Sequence, residues 1–405
     1  MKRVIILLTL IFSLILIVVA LKSASDKNEL TLCNTCPPGF ELTDENVCKL
    51  RSLYQQYESV TGNDPGVGGL KTALPTVRDG FTPQQIDLGR YLFFDPVLSK
   101  DGSVSCATCH QPSKGFSDGL KTSVGIHNTK LKRAAPSLWN VAFYKKFFWD
   151  ARSTSLEEQM TGPLYSEDEM GTTREQLLET LNDIKTYQSL FHQAFPKKKS
   201  TEIELNEIYT ALTAFESSLI SLNSRYDQYA HGYHEALSHE EIEGLNIFRS
   251  FVARCAECHT PPLFTNQQVA VIGLAEPDGK ALDPGAQQTF QDPSLRGAFK
   301  VPSLRNIDRT APYTHSGRFN TLREMIGFYS AGRGHEVAKN EKLHIHWHIW
   351  EPNLTNYEMD RLVDFVKTLT DESFRPQQPK VLPSGIAIDK PITSQALWSI
   401  QQNTH

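Results

Sequence analysis

Two copies of the pattern Cys-x-x-Cys-His constrain this chain more than any other feature. One is Cys106-Ala-Thr-Cys109-His110 and the other is Cys255-Ala-Glu-Cys258-His259. The pattern is the attachment site of c-type haem. The two sulfurs bond to the porphyrin edge, and the adjacent histidine reaches the iron from one face. A lone Cys-x-x-Cys could equally be a redox pair or half a zinc site. A histidine directly after the second cysteine, twice in one chain, argues against both. The reading is therefore two covalently attached c-type haems, anchored by Cys106, Cys109, Cys255 and Cys258, with His110 and His259 as iron ligands. Haem brings electron-transfer and oxygen chemistry, so the surroundings of each iron decide what the chain does.

The remaining sequence is expected to fold mainly as α-helix with long loops. Capping-box spacings recur. Thr82-Pro83-Gln84-Gln85 opens a helix carrying Ile86, Leu88, Tyr91 and Leu92. Thr172-x-x-Glu175 opens another, with Leu178, Leu181, Ile184, Tyr187 and Phe191 on one face. Thr201-x-x-Glu204 precedes an apolar stripe at helical spacing, Leu205, Ile208, Leu212, Phe215, Leu219 and Leu222. Ser238-x-x-Glu241 and Thr355-x-x-Glu358 start two more, and alternating strands are scarce. A weak repeat accompanies the haem motifs. Leu88-Gly-Arg-Tyr-Leu-Phe-Phe precedes the first and Gly244-Leu-Asn-Ile-Phe the second; Phe116-Ser-Asp and Phe264-Thr-Asn follow them. This predicts two tandem cytochrome c-like haem domains, at 76–235 and 236–370. Residues 26–75 read as a cysteine-containing segment and linker, with Asn63–Gly69 its most flexible part, and 371–405 as a Pro- and Gln-rich surface tail.

Charge and the N-terminus bound the setting. A net charge of −5 over 405 residues gives no reason to invoke nucleic acid. Lys2 and Arg3 precede an uncharged apolar run from Val4 to Leu21. Residues 1–25 therefore read as an export signal, or as an uncleaved membrane anchor, and either places the remainder in the periplasm. Of the seven cysteines, Cys33, Cys36 and Cys48 lie outside the haem motifs. An oxidising compartment permits Cys48 to pair with Cys33 or Cys36, leaving one over.

From about residue 85 to 370 the chain resembles the bacterial dihaem cytochrome c peroxidase and MauG family. The resemblance rests on Leu88-Gly-Arg-Tyr-Leu-Phe-Phe-Asp-Pro-Val-Leu-Ser and on Phe148-Trp149-Asp150-Ala151-Arg152. It continues through Ser155-Leu-Glu-Glu-Gln159-Met-Thr-Gly-Pro163-Leu, then Glu169-Met170. Phe299-Lys-Val-Pro-Ser-Leu-Arg-Asn306 runs on to Thr310-Ala-Pro-Tyr-Thr-His315. The resemblance implies that the first haem binds hydrogen peroxide and that the second passes or stores electrons. It implies Glu169 as the distal acid that relays a proton, Gln159 as the distal amide, and Trp149 as the bridge between haems. Taken without the resemblance, Glu169 and Gln159 would read as exposed residues of an acidic loop, and Trp149 as a core tryptophan.

The far-side ligand of the second haem separates the branches of this family. Counting on from His315 places Tyr329 where classical peroxidases have methionine and MauG-like enzymes have tyrosine. Met325, four residues earlier, shares a helical face with it. A thioether raises the haem potential, whereas a phenolate oxygen favours higher oxidation states of iron. The resemblance thus implies an enzyme reducing hydrogen peroxide with electrons from a small cytochrome c or cupredoxin. Alternatively, it oxidises side chains of a partner protein; a pure electron-transfer dihaem cytochrome is the third reading. Calcium between the domains stays open, because Thr310 and Pro312 match carbonyl ligands but Ala134 stands where the family often has asparagine. Ser316 likewise stands in place of the acid or amide common after the histidine. His127 lies one residue beyond the position of the histidine that caps the first haem at rest. Finally, His344, His346 and His348 alternate, which suits a zinc or copper site or a plain histidine-rich loop.

Overall fold

The computed structural model describes residues 30–54, 74–198, 200–337 and 341–387. The N-terminal apolar run and the Asn63–Gly69 stretch lie outside them. The described chain is mostly helical, with two short antiparallel hairpins. β1 (Phe40–Leu42) and β2 (Cys48–Leu50) form one. The helices α1 (Pro83–Phe94), α2 (Cys106–Cys109), α3 (Leu156–Tyr165), α4 (Arg174–Asp183), α5 (Lys185–Ala194) and α6 (Leu205–Ser217) follow. Next come α7 (Arg225–Ala230), α8 (His239–Phe248), α9 (Cys255–Cys258), β3 (Val269–Val271), α10 (Ala286–Phe290) and β4 (Ala298–Lys300), then α11 (Leu322–Ala331) and α12 (Asn356–Lys367).

Capping chemistry sets the helix starts. Thr82, Ser238 and Thr355 cap α1, α8 and α12 with reciprocal capping boxes, as the spacing predicts. Each such cap stabilises its helix by about 1 kcal/mol. Two starts differ from expectation. Thr173, not Thr172, caps α4 through the Gln176 amide. Thr201 lies outside α6, where Glu204 closes the box with Glu207. The apolar stripe from Leu178 to Phe191 belongs to two helices rather than one, because the backbone turns extended at Ile184. Capping boxes at Ser224 and Thr321, starting α7 and α11, and a Ser155 cap on α3 complete the set.

The weak sequence repeat is a repeat of packing. α1 crosses α6 so closely that a Cβ on Gly89 would fall 1.9 Å from the Ala211 carbonyl oxygen. α8 crosses α12 in the same way, with Gly244 facing the Arg361 carbonyl at 2.0 Å. Four residues past each contact point stands a phenylalanine. Phe93 meets Phe215 at 5.0 Å and Phe116 at 6.2 Å between ring centroids. Phe248 meets Phe365 at 5.1 Å and Phe264 at 5.9 Å. Each triad lies at the centre of its own apolar core, and each haem motif forms a single helical turn between the glycine-bearing helix and its partner phenylalanine. Beside the second core, Arg305 is fully buried against Phe264, donating to both Asp227 carboxylate oxygens and to the Pro262 carbonyl. Such a pair costs desolvation but is strongly destabilising to break.

The ends of the described chain both pack on the first core. Cys36 and Cys48 form the disulfide, which settles the pairing and leaves Cys33 exposed. The stapled hairpin packs against Phe81 and Ile86 at the start of α1, so it is part of this unit rather than a free linker. The C-terminal segment, expected on the surface, returns instead to the first core. Leu382 is 4% exposed there, and the Ser384 hydroxyl donates to Asp95 at 2.8 Å.

Candidate functional site

Both motif histidines are prepared as iron ligands. The His110 Nδ1 lies 2.9 Å from the Phe116 carbonyl. The His259 Nδ1 lies 3.1 Å from the carbonyls of Phe264 and Pro302. Carbonyls only accept, so each Nδ1 carries the proton and each Nε2 keeps its lone pair, the usual orienting bond behind a metal-bound histidine. Burial lowers His110 below the ordinary histidine range and takes His259 down to about 4, so both rings are neutral. The neighbouring thiols are half-buried. Burial, then Asp118 and Glu169, push Cys109 up to about 12, and burial pushes Cys255 up to about 12.

A cavity of ≈ 270 Å³ opens in front of the second motif. Cys255, Cys258 and His259 form one wall. α11 supplies the opposite wall through Leu322, Met325, Ile326 and Tyr329, the i, i+3, i+4, i+7 face of a helix. Tyr329 and Met325 therefore both face the cavity, as expected. Burial raises the Tyr329 phenol well above its usual value, and charge on Cys258 or Cys255 would raise it further. A bound metal ion reverses that direction. Lys300 also lines the cavity, where burial lowers its amine to about 8. Among the described residues no carboxylate pairs with it, which suits an anionic edge such as a haem propionate. A flat, largely apolar cofactor with acidic side groups fits these residues.

At the first motif the groups arrive from separate loops. α3 carries Gln159, half-buried, and ends at Tyr165. The chain then turns so that the Met170 amide donates to the Pro163 carbonyl at 3.1 Å, which ties the Glu169 loop to α3. Gly125 packs on this loop, where a Cβ would lie 1.9 Å from the Asp168 carbonyl, and the Ile126 amide donates to the Glu169 carbonyl at 2.9 Å. Glu169 is not a plain solvated acid. Burial raises its carboxyl above the usual range, Arg152 opposes this, and Asp168 adds to it. Its charge acts on Cys109. His127 turns away, 69% exposed and 3.8 Å from Asp101.

Trp149 stands between the two units. Its indole N–H donates to the Ala134 carbonyl at 2.8 Å, and its own carbonyl accepts from the Lys300 amide at 2.7 Å. It lines the second cavity and meets His315 edge-on at 6.3 Å. His315 is itself buried against Glu276 at 2.8 Å and stacks on Phe299. Arg133 joins Asp150 beside Trp149 to Asp283 of the second unit.

Two residues carried no sequence signal. Lys300 sits in a motif quoted only for resemblance. Glu216, 6% exposed on α6, has one carboxylate oxygen without a hydrogen-bond partner, and burial takes it up to about 8. Its only trace is an acid inside an otherwise apolar helical stripe.

This fold agrees with what known proteins show. Residues 83–235 match the model of the di-haem cytochrome c peroxidase family. The methylamine utilization protein MauG of Methylorubrum extorquens is 36% identical over 72% of this chain and 79% of its own. The cytochrome c551 peroxidase of Nitrosomonas europaea is 32% identical over 75% of this chain and 86% of its own. A solved MauG-like protein associated with microbial copper homeostasis superposes with a TM-score of 0.64 at 31% identity, covering 72% of this chain and 91% of that one. The chain belongs to the di-haem cytochrome c peroxidase family, and it is an oxidoreductase of the peroxidase class. Among the described residues no helix is long and apolar enough to cross a membrane.

Proposed function

We propose that this protein is a periplasmic di-haem peroxidase that reduces hydrogen peroxide at the first motif with electrons delivered through the second. The carrying observation is two like motifs with unlike far sides: a half-buried acid, Glu169, near the first, and a phenol, Tyr329, lining the cavity of the second. When bound, the haems supply redox-active iron and the means to cleave an O–O bond. The four motif cysteines anchor them as thioethers, and His110 and His259 bind their irons through Nε2.

The residues then divide the work. Glu169, held in a partly desolvated place, accepts a proton from the inner peroxide oxygen and returns it to the leaving one. Gln159 orients the peroxide through its amide. Trp149 couples the units, since it is hydrogen-bonded to one and packed against the other. In this reading 76–235 and 236–370 are the two haem domains. Export to the periplasm follows from the N-terminal run, and a calcium ion at the Thr310 and Pro312 carbonyls would stiffen the junction.

A small cytochrome c or cupredoxin is the electron donor in this reading. Tyr329 favours a second version, in which the oxidising equivalents are kept and spent on side chains of a partner protein, because a hard oxygen ligand stabilises oxidised iron. One experiment separates these. Rapid mixing with peroxide, watched optically, gives the lifetime of the oxidised state without donor. Persistence for seconds supports the partner-protein version, and decay in milliseconds with fast cytochrome turnover supports the donor version. No fast peroxide reaction at all returns the chain to a simple electron carrier.

A further inference from the structure

His346 and His348 have no part in the chemistry above, yet they are built into the wall of the second site. The segment is pinned to β3, since the His346 amide donates to the Val271 carbonyl at 2.9 Å. His346 and His348 are half-buried there, whereas His344 is exposed. One ligand atom from each of His346, His348 and Cys258 lies within 4.8 Å of the other two. The two imidazoles meet edge-on with centroids 5.0 Å apart. The His348 Nδ1 is buried without a hydrogen-bond partner, and His348 lines the cavity in front of the motif. Trp347 covers His348 from outside at 3.6 Å while remaining 72% exposed.

We propose that His346, His348 and the Cys258 sulfur bind one monovalent copper ion at the edge of the second haem. The assignment rests on the reading that Cys258 is a thioether anchor. The donor set is then two neutral imidazoles and one soft, uncharged sulfur. Hard divalent cations want oxygen ligands, which this set lacks. Zinc wants four donors, with thiolate charge at structural sites. Soft sulfur with imidazole at low coordination selects monovalent copper. The His348 amide donates to the His346 Nδ1 at 3.3 Å, which fixes the two rings relative to each other. A copper ion held here shares a sulfur with the haem anchor, so its arrival is visible at the haem.

The test uses the holoprotein, first weighed intact to establish that two haems are attached. A missing haem would defeat the functional reading, and everything that follows is measured on chains carrying both. Cuprous ion is titrated anaerobically against a chromophoric cuprous chelator. One tight equivalent is expected, with a shift in the second haem's absorption. His346→Ala with His348→Ala, and separately the milder His346→Gln, should weaken binding roughly 100-fold or more, as loss of a ligand exceeds the loss of an orienting group. His344→Ala should change neither cuprous binding nor peroxide kinetics. Equal affinity in wild type and the double variant, or tighter binding of zinc than of cuprous ion, overturns the assignment.

Discussion

Set beside each other, the two motif-bearing units share their near sides and differ on their far sides. In both, a glycine lets two helices touch, a phenylalanine triad fills the crossing, and a backbone carbonyl orients the histidine. These are local packing solutions, and each recurs at a matching position. The far sides come from elsewhere in the chain. The first unit brings its acid on a loop tied to α3, where burial is partial and protons can enter. The second presents one face of α11, which encloses a largely apolar cavity. A shared way of orienting a histidine thus stands beside two different far sides, because the far side is built by segments the scaffold does not constrain.

The largest expected effect tests the division of labour. Glu169→Gln should slow peroxide cleavage on the order of 10²–10⁴-fold, the usual worth of a placed acid–base group, with the second haem's spectrum unchanged. A loss shared by both spectra would mean that the units are not separable. Next, Tyr329→Met should raise the second haem's reduction potential by about 0.1 V or more, within the range that axial ligands command. Met325→Leu is the matched control, and a redox titration in which Met325→Leu moves and Tyr329→Met does not would exchange their roles.

Gly89→Ala and Gly244→Ala probe the shared scaffold. Each places a Cβ against a carbonyl, and each should cost about 3 kcal/mol in denaturant unfolding, as overpacking does. Markedly unequal costs would show that the repeat is one of shape and not of energy. The smallest effect concerns Glu216. Its folded carboxyl titrates near 8 against an ordinary 4.5. The folded state therefore keeps a proton that the unfolded state releases, and the stability this gives is full below 4.5 and lost as pH rises through 8. Glu216→Gln should flatten the fall in stability over that window without altering it at pH 4. The second unit has Val366 at the corresponding place after Phe365, so no matching slope arises there.

What could be read beforehand follows the same boundary. The haem motifs, the helix caps at Thr82, Ser238 and Thr355, and the glycine–phenylalanine repeat are local signals, and each appears in the structure where its spacing puts it. Tyr329 was legible only through the family resemblance, by its count from His315, and it lines the cavity of the second motif. Cap choice failed where two threonines adjoin, since Thr172 and Thr173 offer the same chemistry one residue apart. The break at Ile184 failed because apolar periodicity continues across a change of direction. Glu216 and Lys300 escaped because burial of a charge is a tertiary fact. The docking of Leu382 escaped because a Pro- and Gln-rich segment carries little periodicity to announce it.

That docking has a consequence for how the protein is made. Leu32 near the start and Leu382 near the end belong to one core, while the whole second unit lies between them in sequence. A chain emerging from N-terminus to C-terminus cannot finish its first core until the second motif has already appeared. A chain truncated after α12 would still carry both motifs, yet lose the Leu382 packing and the Ser384 bond that close the first core.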